Sequence, residues 1–176
     1  MPGDRVIENP ILNSPYEMPS RHFQFDNEGI TDTILEERRI SSYFVPIARP
    51  RKGASQQDWV GDRIEENKHV NDIRKRVNLW RAGGYLGVTH VTRKLLEYWT
   101  DPAREKKLFF CQIEALETLI YINECAQRFG DSWILENIRS ANNDANPGLL
   151  RIAGKMATGT GKTVVMCMII AWQALN

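Results

Sequence analysis

Two glycines set two apart, followed directly by lysine and threonine and then by an unbroken apolar run, constrain this chain more than any other feature in it. In Thr158-Gly159-Thr160-Gly161-Lys162-Thr163, the missing Cβ atoms at Gly159 and Gly161 leave room for successive backbone N–H groups to curl around phosphate oxygens. Lys162 then offers a point charge for β- and γ-phosphates, and Thr163 a hydroxyl for Mg²⁺. A helix starting here aims the positive end of its dipole at the same anion. Such a loop needs a strand before it and a helix after it. Leu149 to Met156, "LLRIAGKM", is released from an Asn146-Pro147-Gly148 turn and reads as a short, mostly apolar strand, and Val164 to Leu175 reads as the helix. Met156 stands where the pattern G-x-x-x-x-G-K-[ST] has its first glycine. The plain structural alternative is a glycine-rich turn capping an apolar helix, and the correct flanking elements argue against it.

The helix is apolar nearly all round, with Met166, Met168, Ile169, Ile170 and Trp172 on every face, so it expects cover on several sides. At about a dozen residues it is too short to span a bilayer and fits better beside a sheet. That sheet is not encoded here. A phosphate-loop ATPase also needs an acidic residue on a later strand to orient Mg²⁺, and no Asp or Glu follows Lys162. The chain therefore reads as the front of a longer protein, and alone it is not expected to hydrolyse ATP.

A net charge of +1 gives no bulk electrostatic case for nucleic acid or membrane, so any such contact must be local. Cys111, Cys125 and Cys167 lack metal spacing and fit reduced thiols in a cytoplasmic protein. His22, His69 and His90 are scattered and read as structural or surface residues. The opening "MPGDRVIENP" has no signal-peptide pattern.

Six of the eight prolines lie in the first fifty residues, which argues for an extended, docked arm over residues 1–55. Within it, Phe23 and Phe25 alternate with polar residues before an Asp26 to Gly29 turn, and Ile30, Ile34 and Tyr43-Phe44-Val45 offer apolar surface. "ARPRKGASQQ" reads as a linker. Residues 56–100 form a helical accessory region. A long charged helix from about Gln57 to Arg81 carries Val70, Ile73, Val77 and Trp80 on one face and stops at Gly83-Gly84; a second spans about Val91 to Trp99. Arg74-Lys75-Arg76 reads more simply as a solvated helix face than as a phosphate grip, as do Arg49, Arg51 and Lys52.

Residues 101–176 form the third region. Asp101-Pro102 has the chemistry of a helix start. In "LFFCQIEALETLIYINECAQRFG", Ile113, Leu116, Ile120 and Tyr121 share a helical face that ends at Gly130. Gln112 opens this segment directly after Phe109 and Phe110. A glutamine amide donates and accepts at one base edge, as it does with N6 and N7 of adenine, and an aromatic neighbour can stack on the ring. On spacing alone Gln112 is more simply a polar first-turn residue; its place upstream of the phosphate loop shifts the balance.

Aromatic-x-Gln-x-Glu-Ala, a helix, a loop, and a strand running into "MATGTGKT" resemble the Q-motif and motif I of superfamily 2 helicases. "NPILNSPYEMPSRHFQF", "RRISSYFVPIARPRK", "LWRAGGYLGVTHVTRKLLEYW", "KKLFFCQIEALETLIYINE" and "RIAGKMATGTGKTVVMCMIIAWQ" together resemble the N-terminal end of DEAD/DEAH-type helicase restriction endonucleases, related to the Res subunit of type III enzymes. The resemblance implies an α/β fold in which residues from about 101 begin a RecA-like phosphate-loop domain, preceded by a mainly helical accessory region and the arm. It implies ATP and Mg²⁺ as cofactors, duplex DNA and a modification methyltransferase subunit as partners, and no membrane. Site residues carry over only as Gln112 and the loop from Met156 to Thr163, in which Thr158, Gly159, Thr160, Gly161, Lys162 and Thr163 would meet the nucleotide and Lys162 and Thr163 would serve catalysis; Phe109 and Phe110 join them on the reading of the residues alone. Two rivals remain open: a phosphate-loop kinase or metabolic NTPase, and an interaction module with a degenerate loop. The first normally lacks an aromatic-x-Gln helix about fifty residues upstream, and the intact Gly159, Gly161, Lys162 and Thr163 count against the second.

Overall fold

The computed structural model describes residues 7–26, 29–45 and 63–176. Among the described residues it is mixed α/β, with two separate two-stranded antiparallel sheets and five α-helices. It divides into two compact units, Met1–Asn71 and Asp72–Asn176. No helix among the described residues is long and apolar enough to cross a membrane.

In the first unit, proline-rich sequence that cannot sustain a ladder is organised by side-chain amides. Asn13 Oδ1 accepts from the backbone N–H groups of Ser20 and Arg21 at 3.0 and 3.1 Å, while its Nδ2 donates to Arg21 O at 2.9 Å. The alternation around Phe23 and Phe25 then forms β1 (His22–Asp26), paired with β2 (Gly29–Leu35) so that Phe23 faces Ile34 and Phe25 faces Ile30. Tyr43-Phe44-Val45 lies in β3 (Ser42–Val45), whose partner is β4 (Arg63–Glu66). This corrects the long helix expected from Gln57. The ladder places Ser42 opposite Glu66 and Val45 opposite Arg63, and Asn67 N–H donates to Ser41 O at 2.9 Å, so extended backbone continues up to the helix itself. The linker "ARPRKGASQQ", with Arg49, Arg51 and Lys52, lies outside the described residues.

Helix α1 (Lys68–Ala82) buries Val77 and Trp80 and ends as the sequence indicates, with Gly84 at φ 77°. Lys75 and Arg76 of its basic run are exposed, as a solvated face should be; Lys75 meets the exposed Asp72 at 3.3 Å, and Arg76 Nε reaches the buried Asp131 at 3.2 Å. Helix α2 (His90–Thr100) is capped by Thr89, whose hydroxyl accepts from Thr92 N–H at 3.1 Å. Asp101 does not start a helix. It closes a turn after α2, accepting from Ala103 N–H at 2.8 Å, and α3 (Phe110–Ile120) begins only past the charged stretch 104–107. Helix α3 then widens into a π-helical segment, Tyr121–Cys125, with Ala126 N–H reaching Tyr121 O at 2.8 Å. The extra residue in the turn lets Tyr121, Ile122 and Cys125 all face the core. Burial pushes the Cys125 thiol up to about 11, with the Glu124 charge adding to it, so this cysteine stays neutral.

Helix α4 (Ser132–Ala145) has no counterpart in the sequence reading. The strand expected over Leu149–Met156 is absent; the segment is irregular. A strand exists only by pairing, and no neighbouring strand lies alongside among the described residues. Asn142 takes that part instead: its Oδ1 accepts from Arg151 N–H and its Nδ2 donates to Arg151 O, both at 2.8 Å. The expected Asn146-Pro147-Gly148 turn is present, with Leu149 N–H donating to Asn146 O at 3.2 Å.

Helix α5 (Lys162–Leu175) packs on α3 and touches α2. Val165, Met168 and Trp172 are buried, whereas Val164, Met166, Ile170 and Leu175 are exposed, so one side of this all-round apolar helix is covered. Its anchor is polar. Trp172 Nε1 donates to Glu124 Oε1 at 2.8 Å and to Thr92 Oγ1 at 3.1 Å, and Glu124 also accepts from Thr92 Oγ1 at 2.6 Å and Thr89 N–H at 2.9 Å. Trp172→Phe keeps an aromatic ring but deletes the indole donor. Glu124 keeps its Thr92 and Thr89 donors, so we expect a loss of about 1.5–3 kcal/mol, the worth of one hydrogen bond to a charged group, read as a lower urea midpoint at unchanged slope.

Candidate functional site

The phosphate-type loop owes its shape to its glycines. Gly159 and Gly161 sit at φ 80° and 76°, in the left-handed region that residues with a Cβ avoid. Gly161 is the N-cap of α5, so Lys162 and Thr163 occupy the first helical turn, where N–H groups have no intrahelical partner and point outward. Val164 N–H closes that turn on Gly161 O at 2.9 Å. Thr158, Gly159, Lys162 and Thr163 are exposed.

Two of the loop's own side chains hold it. Thr160 Oγ1 donates to Ala157 O at 2.7 Å, and Lys162 Nζ curls back to Ala157 O at 3.0 Å and Met156 O at 3.4 Å. The ammonium is thus placed over the loop through carbonyl contacts that a stronger acceptor such as phosphate can replace.

Gln112 is brought to this loop from 48 residues away. Its Nε2 donates to Thr160 O at 3.0 Å, and its Oε1 accepts from Phe109 N–H at 2.9 Å, capping the start of α3. The side chain is buried, and an ideal Cβ on Gly161 would lie 2.2 Å from Nε2. Gly161 is therefore required twice, for its φ and for the space Gln112 occupies. By valence the amide keeps a second N–H and a second lone pair beyond these contacts. Phe109 is the N-cap of α3 and Phe110 its first residue; the Phe110 ring lies 5.1 Å from the guanidinium carbon of Arg81. Cys111, between Phe110 and Gln112, has its thiol pushed up by burial.

The structure thus joins Gln112 to the loop residues Thr160 and Gly161, with Thr158 and Gly159 immediately before them and Lys162 and Thr163 immediately after. Among the described residues no group of three or more His, Cys, Asp or Glu side chains is arranged to hold a metal. The Thr163 hydroxyl suits a Mg²⁺ that arrives with phosphate oxygens and water as its other ligands. An apolar pocket of about 210 Å³ lies along α5, lined by Trp99, Leu108 and Met168 among others, and does not include the loop's glycines.

Sequence reading missed Arg81, Tyr85 and Glu117, which form a hydrogen-bonded cluster against Phe110. The available signal was Glu117 itself, a carboxylate set among Ile113, Leu116 and Ile120 on the core side of α3.

Gly161→Ala is expected to cost about 1–2 kcal/mol for the left-handed backbone alone, measured by thermal unfolding. It should also expel the Gln112 amide from Thr160, seen as a shift of the Gln112 side-chain NH₂ resonances; an unmoved pair would show that the loop accommodates a methyl group. No protein-family model, curated protein or solved structure matches this chain.

Proposed function

We propose that the chain binds ATP with Mg²⁺ at the loop Thr158–Thr163, as the nucleotide-binding part of an ATP-dependent DNA helicase or translocase of restriction type. In this reading residues from about 101 belong to a RecA-like domain, duplex DNA is the partner of the whole enzyme alongside a modification methyltransferase subunit, and the location is cytoplasmic. The observation that carries it is the contact between Gln112 Nε2 and Thr160 O at 3.0 Å. A glycine-rich turn serving only to cap α5 has no need of a buried glutamine delivered from another helix. A phosphate-loop kinase has no need of one either, since phosphate contacts alone do not report on the base.

The division of labour follows from the chemistry. Backbone N–H groups of the loop and the first turn of α5 face the phosphates, Lys162 meets the β- and γ-oxygens, and Thr163 presents its hydroxyl to Mg²⁺. Mg²⁺ when bound supplies the charge that neutralises the triphosphate. Gln112, with Phe109 and Phe110 beside it, faces adenine and touches the loop at the same time, so base and phosphate ends share one side chain.

Lys162→Ala should weaken Mg·ATP binding about ten- to a hundred-fold, the worth of a charge-assisted contact, with circular dichroism unchanged. In the active enzyme it should lower DNA-stimulated hydrolysis by orders of magnitude. Wild-type affinity in the folded variant would remove the phosphate-loop assignment. Gln112→Ala tests the other end. ATP and GTP share a triphosphate, so preference between them comes from the base; guanine presents an acceptor at O6 where adenine has its N6 donor. A lost bidentate contact is worth about 1–3 kcal/mol, or about five- to a hundred-fold. Competition of ATP and GTP for a fluorescent ATP analogue should show that preference flattened in the variant, and an unchanged ratio would reduce Gln112 to a capping residue.

A further inference from the structure

Three arrangements that a packed pair of helices does not require meet at Glu117 on α3. The Glu117 carboxylate is fully buried, and burying an ion pair seldom improves on apolar packing. Its oxygens accept from Arg81 Nε at 2.9 and 3.0 Å, from Arg81 Nη2, and from the Tyr85 hydroxyl at 2.6 Å. Arg81 Nη1 donates to Asn78 Oδ1 at 2.8 Å, which fixes the guanidinium plane. Tyr85 lies at φ 57°, a left-handed backbone that side-chain-bearing residues avoid. Burial works against the Arg81 charge, but the hydrogen bond and charge of Glu117 more than offset it, so the guanidinium is held firmly charged.

A buried pair is weak evidence for a gain in stability, and this one also has a direction. The guanidinium is aimed at Phe110, 5.1 Å from the ring centroid, in cation–π geometry. Phe110 is two residues before Gln112 in the same helical turn, and Gln112 meets Thr160. A path of directional contacts therefore runs from Glu117 through Arg81 to the ring, and along one turn of helix to the phosphate loop.

We propose that Arg81, anchored by Glu117 and Tyr85, is a positioning residue for the purine end of the site, fixing the Phe110 ring and the first turn of α3 so that the base rather than the triphosphate registers its loss. This rests on the adenine reading above. The test uses the full chain and three competitors against a fluorescent ATP analogue, all with Mg²⁺: ATP, GTP and inorganic tripolyphosphate. Arg81→Met removes the guanidinium but strands the Glu117 charge, so the double variant Arg81→Met/Glu117→Leu, which removes the pair together, keeps the measurement possible if the single variant fails to fold. Arg81→Lys retains charge without the plane. The ratio of ATP to tripolyphosphate affinity should fall about three- to thirty-fold, the span of a partly desolvated cation–π contact, in Arg81→Met and in the double variant. Arg81→Lys should lie between these and the wild type, and tripolyphosphate affinity should stay within about two-fold throughout. Equal weakening of all three competitors, or an unchanged ratio in the folded double variant, would overturn the proposal while leaving the site reading intact. A wild-type chain that binds tripolyphosphate as well as ATP would overturn the adenine reading and this proposal together, and one that binds neither would overturn the phosphate loop as well.

Discussion

One half-buried carboxylate determines where the glycine loop sits. Glu124 projects from the π-helical segment at the end of α3 and accepts from Trp172 on α5, Thr92 on α2 and the backbone N–H of Thr89. Three elements are thereby fixed in rotation and along their axes, with the direct bond from Trp172 Nε1 to Thr92 Oγ1 adding to the same junction. Apolar packing is nearly indifferent to a helix sliding by one turn, whereas hydrogen bonds to a single carboxylate are not. Since α5 begins at Lys162, the placement of Trp172 near its far end sets the position of the loop at its near end. The π segment is part of the same device, because an extra residue in the turn is what lets Glu124 face α2 and α5 while its neighbours Tyr121, Ile122 and Cys125 remain in the core.

The second fixed point is Gln112. It ties the start of α3 to the loop directly, so α3 holds α5 at both ends, through Glu124 and through Thr160 O. A loop restrained this way needs little reordering to meet an anion, and preorganisation of that kind lowers the entropic cost of binding. The arrangement also makes Gly161 a spacer as well as a turn residue, because the Gln112 amide occupies the volume a side chain there would fill.

What was legible in the sequence was local. The run from Val91 to Trp99 located α2, Gly83-Gly84 located the end of α1, alternation around Phe23 and Phe25 located the first hairpin, and the glycine pattern located the loop. What was illegible depended on partners distant in the chain. Arg63–Glu66 is helical by its neighbours' charge pattern but extended by its pairing with Ser42–Val45. Asp101-Pro102 has the chemistry of a helix start, yet the turn closed by its own carboxylate comes first. Leu149–Met156 has the composition of a strand but, among the described residues, no strand to pair with. Helix α4 was passed over because its stripe is thin, with Ile134 and Asn142 as its buried residues and one of them polar. Within the site, the loop, Gln112 and the two phenylalanines could be named in advance; the Arg81–Glu117–Tyr85 cluster could not, since its members are 36 and 32 residues apart in hydrogen-bonded pairs.

Asn142 shows what it means for a side chain to stand in for a strand. Its carboxamide gives Arg151 the same donor and acceptor that a neighbouring backbone would, and Asn13 and Asn71 do likewise for Arg21 and Ser41. A primary amide is a small group able to do this, and its remaining sites reach other groups: Asn142 Nδ2 also donates to Ile138 O, and Asn71 Nδ2 to Glu66 Oε1. While the amide holds Arg151, that residue's N–H and C=O are not offered to a ladder on that side. Any backbone that paired there would trade two hydrogen bonds for two, leaving hydrogen-bond enthalpy nearly level and the outcome to side-chain packing. Asn142 thus ties the irregular segment before the loop to α4 at a single residue, and among the described residues that segment joins no sheet.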